Sequence, residues 1–309
     1  MLTGLLLLNK PVDMRSTKCV ELVRNKLGRK TKVGHGGTLD STASGLLIVL
    51  IGLATRLSNF VMDMPKCYEV TAYLGIETST DDASGDVTRS CECRNINERD
   101  VDLALTSFLG WRMQAPPDVS AVHVDGKRAH ELARGGHEVL IEKKPVFFAS
   151  VERTSEISEE GRVSFRINCG KGTYVRSFVR DLGRLLGCGA HVCELKRLSC
   201  GPLELDRSVD AGLLDDINKE ALVEKLLPPE SLCAASASYL CCEEGTKRLI
   251  NGLNISLHDL KRENFARYSS RTGNVIVRSE KIFSICQFKD PSKPYDLYPE
   301  VNIINDRSI

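Results

Sequence analysis

The stretch "VGHGGTLDSTASG", residues 33–45, runs directly into "LLIVLIGL", residues 46–53, and places a single carboxylate, Asp40, just before a buried strand. Gly, Ser and Thr dominate the first part without an apolar period, which predicts a loop. The apolar run that follows has the length of a fully buried strand and is far below the roughly 20 residues of a membrane-spanning helix. An Asp on such a loop is most often part of an Asx-turn, a helix cap or a surface charge. The stretch therefore predicts a loop-to-strand unit and leaves a chemical role for Asp40 open.

The formal net charge of +1 for 309 residues hides two basic segments. Residues 10–32 contain eight Lys or Arg against two acidic residues, and residues 166–197 contain seven against two. Two basic segments in a neutral chain suit a polyanion such as nucleic acid, although solvated helix faces explain them equally well.

Twelve cysteines in a chain without an export signal or a membrane span indicate reduced thiols, and we expect a cytoplasmic protein with no membrane contact. One cluster, Cys188, His191 and Cys193 in "CGAHVC", has metal-ligand residue types. It lacks the second ligand pair of a structural zinc site, so buried thiols are favoured there over zinc.

Periodicity predicts an α+β fold with a largely antiparallel sheet, because strands and helices mix without a regular βαβ repeat. Strands are predicted at 5–8, in "YEVTAYLG", "VFFASV" and "VSFRINC", and after "TGN" (272–274), which predicts a hairpin turn. In "YEVTAYLG", period-2 alternation predicts that Tyr68, Val70, Ala72 and Leu74 share one face. The first helix is predicted to be capped by Ser16 or Thr17 and ended by Gly28. The second is predicted to span 98–109, with Asn97 as its cap and an apolar stripe that ends at Leu109. The "PP" at 228–229 predicts a domain boundary, with one domain at 1–230 and a small β-rich domain at 231–309. Within the first domain, residues of about 112–145 are polar, turn-rich and basic, which indicates an insertion rather than core.

A third predicted helix follows the turn "CGKGT" and carries Leu182 and Leu185 on its apolar side. Arg176 lies in its first turn, where the helix dipole disfavours a positive charge. We therefore expect a negative partner for Arg176, either a phosphate at the helix N-terminus or a carboxylate.

Several segments together resemble the TruB family of tRNA pseudouridine synthases, which modify the T-loop uridine. They are "GLLLLNKP", "VGHGGTLDSTASGLLIVLIGLATR", "KCYEVTAYLGIETSTDDASGDV", "QAPPDVSA", "GKRAHELARGG" and "CGKGTYVRSFVRDLGRLLGCGAHVCELKRL", in the family's order over residues 4–205. The resemblance implies the pseudouridine-synthase fold and a C-terminal PUA-like RNA-binding domain. It also implies that tRNA is the partner, bound through the T-stem-loop and through the acceptor end by the C-terminal domain.

The resemblance assigns roles to individual residues. Asp40 corresponds to the catalytic aspartate, Arg176 to the arginine that pairs with it, and Tyr68 to the tyrosine that stacks on the base. His35 corresponds to the residue that fills the space of the flipped base. Lys10 and Pro11 correspond to the N-terminal motif that braces the active-site loop, and Leu195 to the apolar wall on the other side of the base. The other implied substrate contacts are Gly36, Thr38, Lys171 and Tyr174. The resemblance also implies that the insertion at about 112–145 binds RNA. We expect a monomer that needs no metal or organic cofactor.

Four positions depart from the family pattern. Asp13 stands where family members usually have Gly, and Ser41 where they usually have Pro. Val119 replaces a common aromatic residue, and His123 replaces a common Lys. These departures touch the rigidity of the Asp40 loop and some RNA contacts.

Three other functions remain open. A glycoside hydrolase needs a second carboxylate, for which Asp81 and Asp82 are candidates only by closeness in sequence. A non-catalytic RNA-binding or RNA-folding protein would keep the basic segments without needing Asp40, Tyr68 and Arg176 together. A guide-RNA-dependent pseudouridine synthase shares the "GTLD" sequence.

Overall fold

A computed structural model describes residues 2–93, 95–119, 123–124, 127–128, 142–264, 273–288 and 296–304. The chain divides into two compact units. Unit 1 consists of residues 1–41, 45–64 and 199–309, and unit 2 consists of residues 42–44 and 65–198. The residues predicted to bind or modify RNA are thus distributed over both units.

The described helices are α1 (Ser16–Leu27), α2 (Ser58–Asp63), α3 (Glu98–Thr106), α4 (Val175–Leu185), α5 (Lys219–Glu224) and α6 (Glu243–Ile250). The described strands are β1 (Gly4–Lys10), β2 (Val33–His35), β3 (Ser44–Ile51), β4 (Lys66–Leu74), β5 (Ile76–Thr78), β6 (Val87–Ser90), β7 (Gly110–Gln114), β8 (His123–Val124), β9 (Lys127–Arg128), β10 (Lys144–Arg153), β11 (Arg162–Cys169), β12 (Ala190–Cys200), β13 (Leu203–Glu204), β14 (Val209–Asp210), β15 (Ser238–Cys241), β16 (Ile255–Ser256), β17 (Leu260–Asn264), β18 (Asn274–Arg278), β19 (Ile282–Gln287) and β20 (Asp296–Ile304). Within these ranges, no helix combines the length and the apolar character that crossing a membrane requires.

In unit 1, β1 is antiparallel to β3 and parallel to β14, and β2 is antiparallel to β3. The apolar runs of β1 and β3 are buried along nearly their whole length, as continuous rather than alternating apolar sequence predicts for strands covered on both faces. The strand predicted at 5–8 and the one predicted after Asp40 are therefore confirmed.

The C-terminal part of unit 1 is a curled half-barrel sheet in the order β16-β20-β19-β18-β15-β17. Side chains of one face of this sheet, among them Phe283 and Ile303, belong to one hydrophobic core with Leu5 and Ile48 of the first strands. The boundary at residue 230 remains a prediction. The shared core shows that the half-barrel and the N-terminal strands stabilise each other.

In unit 2, β12-β4-β11-β10-β7 are neighbours in that order, and β4, β11, β10 and β7 are antiparallel. The predicted alternation in β4 is confirmed, because Val70, Ala72 and Leu74 face the core while the residues between them do not. Phe108 after α3 and Phe178 on α4 meet edge to face with ring centroids 4.8 Å apart, which packs both helices on the same face of the sheet. The predicted α+β class with a mixed, largely antiparallel sheet is confirmed.

Some predicted helix details are correct and others are not. Asn97 caps α3 as predicted, in a capping box with Asp100. The helix ends at Thr106 rather than 109, since the chain turns there to enter β7 at Gly110, which has φ +84°. The residue Leu109, predicted for the apolar stripe, is accordingly exposed.

The predictions for α1 and α4 also need correction. The N-cap position of α1 is Arg15, with no side-chain cap, because the Ser16 hydroxyl is bonded to a distant loop. Leu185, the last residue of α4, is exposed rather than in the apolar stripe. The strand after "TGN" exists as β18, but it is parallel to β15 and antiparallel to β19, so it does not form a hairpin with β17. Thr272 of that turn lies outside the described residues.

The shared core of unit 1 yields a stability prediction. Phe283 is fully buried, so Phe283→Ala leaves a cavity and we expect a loss of about 3–5 kcal/mol in the free energy of unfolding. Phe288, in the same region but 40% exposed, is the matched control, and Phe288→Ala should cost far less. Chemical denaturation of both variants measures the difference. Equal, small losses would contradict a core shared between the half-barrel and the N-terminal strands.

Candidate active site

The Asp40 side chain is exposed on a loop that hydrogen bonds hold on both sides of it. Before it, the Ser16 hydroxyl of α1 donates to Leu39 O and accepts from Leu39 N, each at 2.9 Å. After it, Asp13 N donates to Ser41 O at 2.8 Å. Because both neighbours of Asp40 are tied to the chain segment around residues 13–16, the carboxylate is presented to solvent from a fixed backbone.

The segment that braces this loop is itself held by Lys10. The Lys10 side chain is fully buried, and its Nζ donates to Pro11 O and to Met14 O, each at 2.8 Å. Asp13 has φ +64°, in the left-handed region that favours glycine. This explains why a Gly is usual at that position, and Asp is among the residues that tolerate the conformation best.

Gly36 is required by close packing against α2. A Cβ atom at this position would lie 2.4 Å from Val61 Cγ1, a distance that forces the loop away from the helix. His35, just before it at the end of β2, is half-buried, and Thr38 is exposed. His35, Gly36 and Thr38 therefore lie in one short, closely packed stretch before Asp40, whereas Lys10 and Pro11 lie at the end of β1.

Tyr68 on β4 and Leu195 on β12 are both partly buried against the core of unit 2. Tyr174 is the N-cap residue of α4, and its backbone is held by Gln114 of β7, which accepts from Tyr174 N at 2.9 Å and donates to Tyr174 O at 3.1 Å. Lys171, in the turn before α4, is exposed. Unit 2 thus supplies an aromatic side chain, an apolar side chain and an ordered helix start.

Arg176 is almost fully buried at the start of α4, and its guanidinium is held by several groups of unit 2. Nη1 donates to Thr80 O at 2.9 Å and lies 3.8 Å from Asp82 Oδ2, while Nη2 donates to Val119 O at 3.2 Å. The expected negative partner in the first turn is therefore present as a carboxylate. That Arg176 also pairs with Asp40 stays a prediction.

Asp82 is a residue that the sequence reasoning did not assign to this site. Its carboxylate accepts from Thr80 Oγ1 at 2.7 Å, from Thr42 Oγ1 at 3.2 Å, and from the backbone and hydroxyl of Ser84. The pKa of Asp82 lies below its ordinary value. Burial by itself would raise it, but the hydrogen bonds from Ser84 and Thr80, together with the charge of Arg176, outweigh the effect of burial. Asp82 thus binds both Arg176 and Thr42 within unit 2.

The structure assigns the cysteine–histidine cluster to the interior of unit 2. His191 Nδ1 lies 2.9 Å from Ile76 O, and its ring stacks on Tyr73 at 5.6 Å. Burial raises the pKa of the Cys188 and Cys193 thiols. Across the described ranges, no group of three or more His, Cys, Asp or Glu side chains could hold a metal ion.

The predicted insertion at 112–145 begins within β7 and ends within β10. Between them, the two-residue strands β8 and β9 pair, with His123 opposite Arg128. Residues 120–122, 125–126 and 129–141 lie outside the described residues, so the RNA contacts predicted for this segment stay predictions.

Comparison with known proteins identifies relatives over most of the chain. The N-terminal domain of TruB family pseudouridylate synthases matches residues 24–175, and the C-terminal domain of tRNA pseudouridylate synthase B matches residues 176–234. The tRNA pseudouridine synthase B of Paracoccus denitrificans is 41% identical over 249 residues, covering 81% of this chain and 82% of that protein. That of Dehalococcoides mccartyi is 40% identical over 257 residues, covering 83% and 85%.

Two solved structures are similar in fold. A chain of the "Cbf5-Nop10-Gar1 Complex" superimposes with a TM-score of 0.72 at 21% identity, covering 98% of this chain and 85% of that one. A chain of the "archaeal box H/ACA sRNP Nop10-Cbf5 complex" gives a TM-score of 0.68 at 20% identity, covering 98% and 86%. These likenesses confirm the predicted fold, including a half-barrel consistent with a PUA-like domain. With about 40% identity to its sequence relatives over most of both chains, this chain belongs to the TruB family of pseudouridylate synthases.

Proposed function

We propose that this chain, an isomerase that converts uridine in tRNA to pseudouridine, acts on the T-loop uridine at position 55 and uses Asp40 as its catalytic carboxylate. The observation that carries the proposal is the exposed Asp40 side chain between two hydrogen-bonded neighbours, in a chain about 40% identical to proteins named tRNA pseudouridine synthase B. A fixed carboxylate open to solvent suits a substrate that arrives as a macromolecule.

The reaction breaks the C1′–N1 bond of uridine, turns the base, forms the C1′–C5 bond, moves the C5 proton away and leaves N1 protonated. Asp40 serves it either by attacking C1′ or by removing a ribose proton so that a glycal forms. Tyr68 is half-buried and offers a ring face for stacking and a phenol as acceptor of the C5 proton. Leu195 supplies the apolar wall on the other side of the base.

The target base is stacked inside a folded loop, so it must be flipped out before Asp40 can act. We propose that His35 fills the vacated space, with Lys10 and Pro11 bracing the loop and Gly36, Thr38, Lys171 and Tyr174 contacting the substrate. The bonds from Lys10 to Pro11 O and Met14 O support the bracing role, because they fix the turn that carries Asp13 and Ser16.

The two basic segments differ in what they can offer to RNA. In the first, Arg15, Lys18, Arg29, Lys30 and Lys32 are exposed while Lys10 is buried. In the second, three of the seven basic residues are buried, namely Arg176, Arg180 and Arg197. We propose that the exposed members, with the C-terminal half-barrel, bind the tRNA backbone in a salt-dependent manner, and that the protein acts as a cytoplasmic monomer.

A glycoside hydrolase would need a second carboxylate beside Asp40, and the contacts of the two candidates, Asp81 and Asp82, speak against that role. Asp82 is buried among hydrogen-bond donors, and Asp81 forms an ion pair with Arg180 at 2.9 Å. Neither carboxylate is free to serve as an acid or a base beside Asp40.

The proposed function is tested with the pure protein, an unmodified tRNA transcript and no guide RNA. We expect pseudouridine at position 55, mapped at single-nucleotide resolution. Product only after a guide RNA is added would favour the guide-dependent alternative. Tight tRNA binding without product would favour the non-catalytic RNA-binding alternative.

Asp40→Asn keeps the size of the side chain and removes the charge that both routes require. We expect turnover below detection with tRNA affinity almost unchanged, because the phosphate contacts lie on other residues. Mass spectrometry excludes deamidation back to Asp. The control, Asp86→Asn at an exposed loop aspartate of unit 2, should keep normal turnover. Measurable turnover by a verified Asp40→Asn protein would end the assignment.

Arg176→Lys keeps the charge and loses the planar fork that reaches Thr80 O and Val119 O. We expect the single-turnover rate to fall by about 100-fold, because a misplaced charge no longer orients Asp40, while the dissociation constant for tRNA changes little. Rapid-quench kinetics and filter binding measure the two quantities. Equal losses in rate and affinity would instead identify Arg176 as a phosphate contact.

Ser16→Ala leaves both backbone groups of the buried Leu39 without their hydroxyl partner. We expect a loss of about 1–3 kcal/mol in the free energy of unfolding and a fall in turnover that exceeds the fall in affinity. Ser41→Ala, at an exposed serine of the same loop, is the control and should leave both nearly unchanged. Normal turnover in Ser16→Ala would show that the brace is not needed for catalysis.

A further inference from the structure

Two consecutive aspartates of unit 2 face two arginines that lie one turn apart on α4. Asp82 is 3.8 Å from Arg176, and Asp81 is 2.9 Å from Arg180. Only the first of these pairs contains a residue that the proposed mechanism uses. Arg180 is buried and Asp81 is partly buried in the same region of the unit, and the pair needs its own explanation, since burying charges is costly.

Arg180 ties three segments together through three separate nitrogens. Nη1 binds Asp81 Oδ2 at 2.9 Å, Nη2 donates to Ala115 O at 2.9 Å, and Nε donates to Asp181 Oδ1 at 3.1 Å. Arg176 binds the same two neighbouring segments, through Thr80 O and Val119 O. Each of the two arginines therefore binds both residues 80–82 and residues 115–119 and holds these two segments against α4.

Asp81 and Asp82 lie in one strained turn. Asp81 has φ +59°, a left-handed conformation that is unfavourable for a non-glycine residue. Asp81 O accepts from Val192 N at 3.0 Å, and Ala83 N donates to Val192 O at 2.9 Å, so backbone bonds hold the turn on both sides of Asp82. The bond from Arg180 to the Asp81 side chain adds a third restraint directly beside Asp82.

Burial raises the pKa of Asp81 above its ordinary value, even though Arg180 opposes the shift. Because the cost of removing two charges from water offsets much of the attraction within a buried ion pair, such a pair is weak evidence for added stability. What the contacts of Arg180 do show is which backbone segments the pair holds together.

We propose that Arg180 and Asp81 form a positioning pair that holds Asp82 against Arg176 and so orients the Arg176 guanidinium. The pair touches neither substrate nor reacting atoms. The proposal rests on the role of Arg176 in the proposed function. In this proposal the Arg180–Asp81 pair acts on Arg176 indirectly, through Asp82.

The test compares Arg180→Gln, Arg180→Lys, Asp81→Asn and the double variant Arg180→Gln/Asp81→Asn in single-turnover assays on tRNA. We expect each Arg180→Gln or Asp81→Asn protein to lose at least about ten-fold in rate, with the dissociation constant for tRNA within about two-fold of the original. Arg180→Lys should lose less, because it keeps the charge. The double variant should be no slower than the slower of the two single variants, because each single variant already removes the contact between Arg180 and Asp81.

The matched control is a second arginine–aspartate pair of the same unit. Arg153 binds Asp102 through Nε at 2.8 Å and Nη2 at 2.9 Å, and neither residue contacts a predicted site residue in these bonds. Arg153→Gln should leave the rate unchanged. Asp81→Gly separates the two possible causes, because it relieves the left-handed backbone but removes the carboxylate. It should lose rate as Asp81→Asn does.

Several results would overturn the proposal. Normal rates in Arg180→Gln and Asp81→Asn, or a normal rate in Asp81→Gly, would show that the pair is not needed. A loss explained by weaker tRNA binding alone would make Arg180 an RNA contact. If Arg180→Gln does not fold, Arg180→Lys and Asp81→Asn carry the test.

A crystal structure of Asp81→Asn gives a readout that does not depend on activity. We expect the contact between Arg176 Nη1 and Asp82 Oδ2 to be displaced, and an unchanged contact would reject the positioning role. An original protein that forms no pseudouridine in tRNA would reject the proposed function instead. The two failures are therefore distinguishable.

Discussion

The burial of two arginines on one helix constrains the arrangement of unit 2. Arg176 and Arg180 lie inside the unit, and a buried guanidinium must find acceptors for its N–H groups or the fold loses several kcal/mol. The acceptors come from residues 80–82 and from the carbonyls of Ala115 and Val119. These segments have little regular structure of their own, so their bonds to the two arginines of α4, together with the backbone bonds of residues 81 and 83 to Val192, limit where they lie. Two Pro residues at 116–117, both buried, further limit the second segment.

The Asp40 loop is held by a different means. Its carboxylate is exposed, and the order of the loop comes from neighbours: a hydroxyl on Leu39, a backbone bond to Ser41 and a close contact of Gly36 with α2. Such a design leaves the side chain open to a large substrate while limiting the conformations of the backbone. Asp13, whose N–H donates to Ser41 O, has a left-handed φ that is strained for a non-glycine residue. Here an aspartate carries a conformation that a glycine would adopt without strain.

The two basic segments predicted from the sequence differ in how much of their positive charge is exposed to solvent. Counting Lys and Arg along the sequence indicates two basic segments of similar strength, but side chains on one segment can point inward. In residues 166–197, α4 directs Arg176 and Arg180 into the unit, and Arg197 on β12 is buried as well. The positive charge available to a polyanion is therefore smaller than the sequence count. In residues 10–32 most of the basic side chains remain exposed, so that segment keeps its predicted character.

Much of the fold followed from the sequence alone, since period-2 alternation in β4, continuous apolar runs in β1 and β3, and the Asn97 cap are local properties that tertiary contacts did not override. The candidate residues Asp40, Tyr68 and Arg176 likewise came from motifs that can be read in order along the chain. The tertiary structure alone decided the role of Ser16, which bonds a loop 23 residues away instead of capping α1, and of Asp82, which binds Arg176 across 94 positions of sequence. Long-range hydrogen bonds and buried ion pairs have no local pattern, because each depends on which segments the cores bring together.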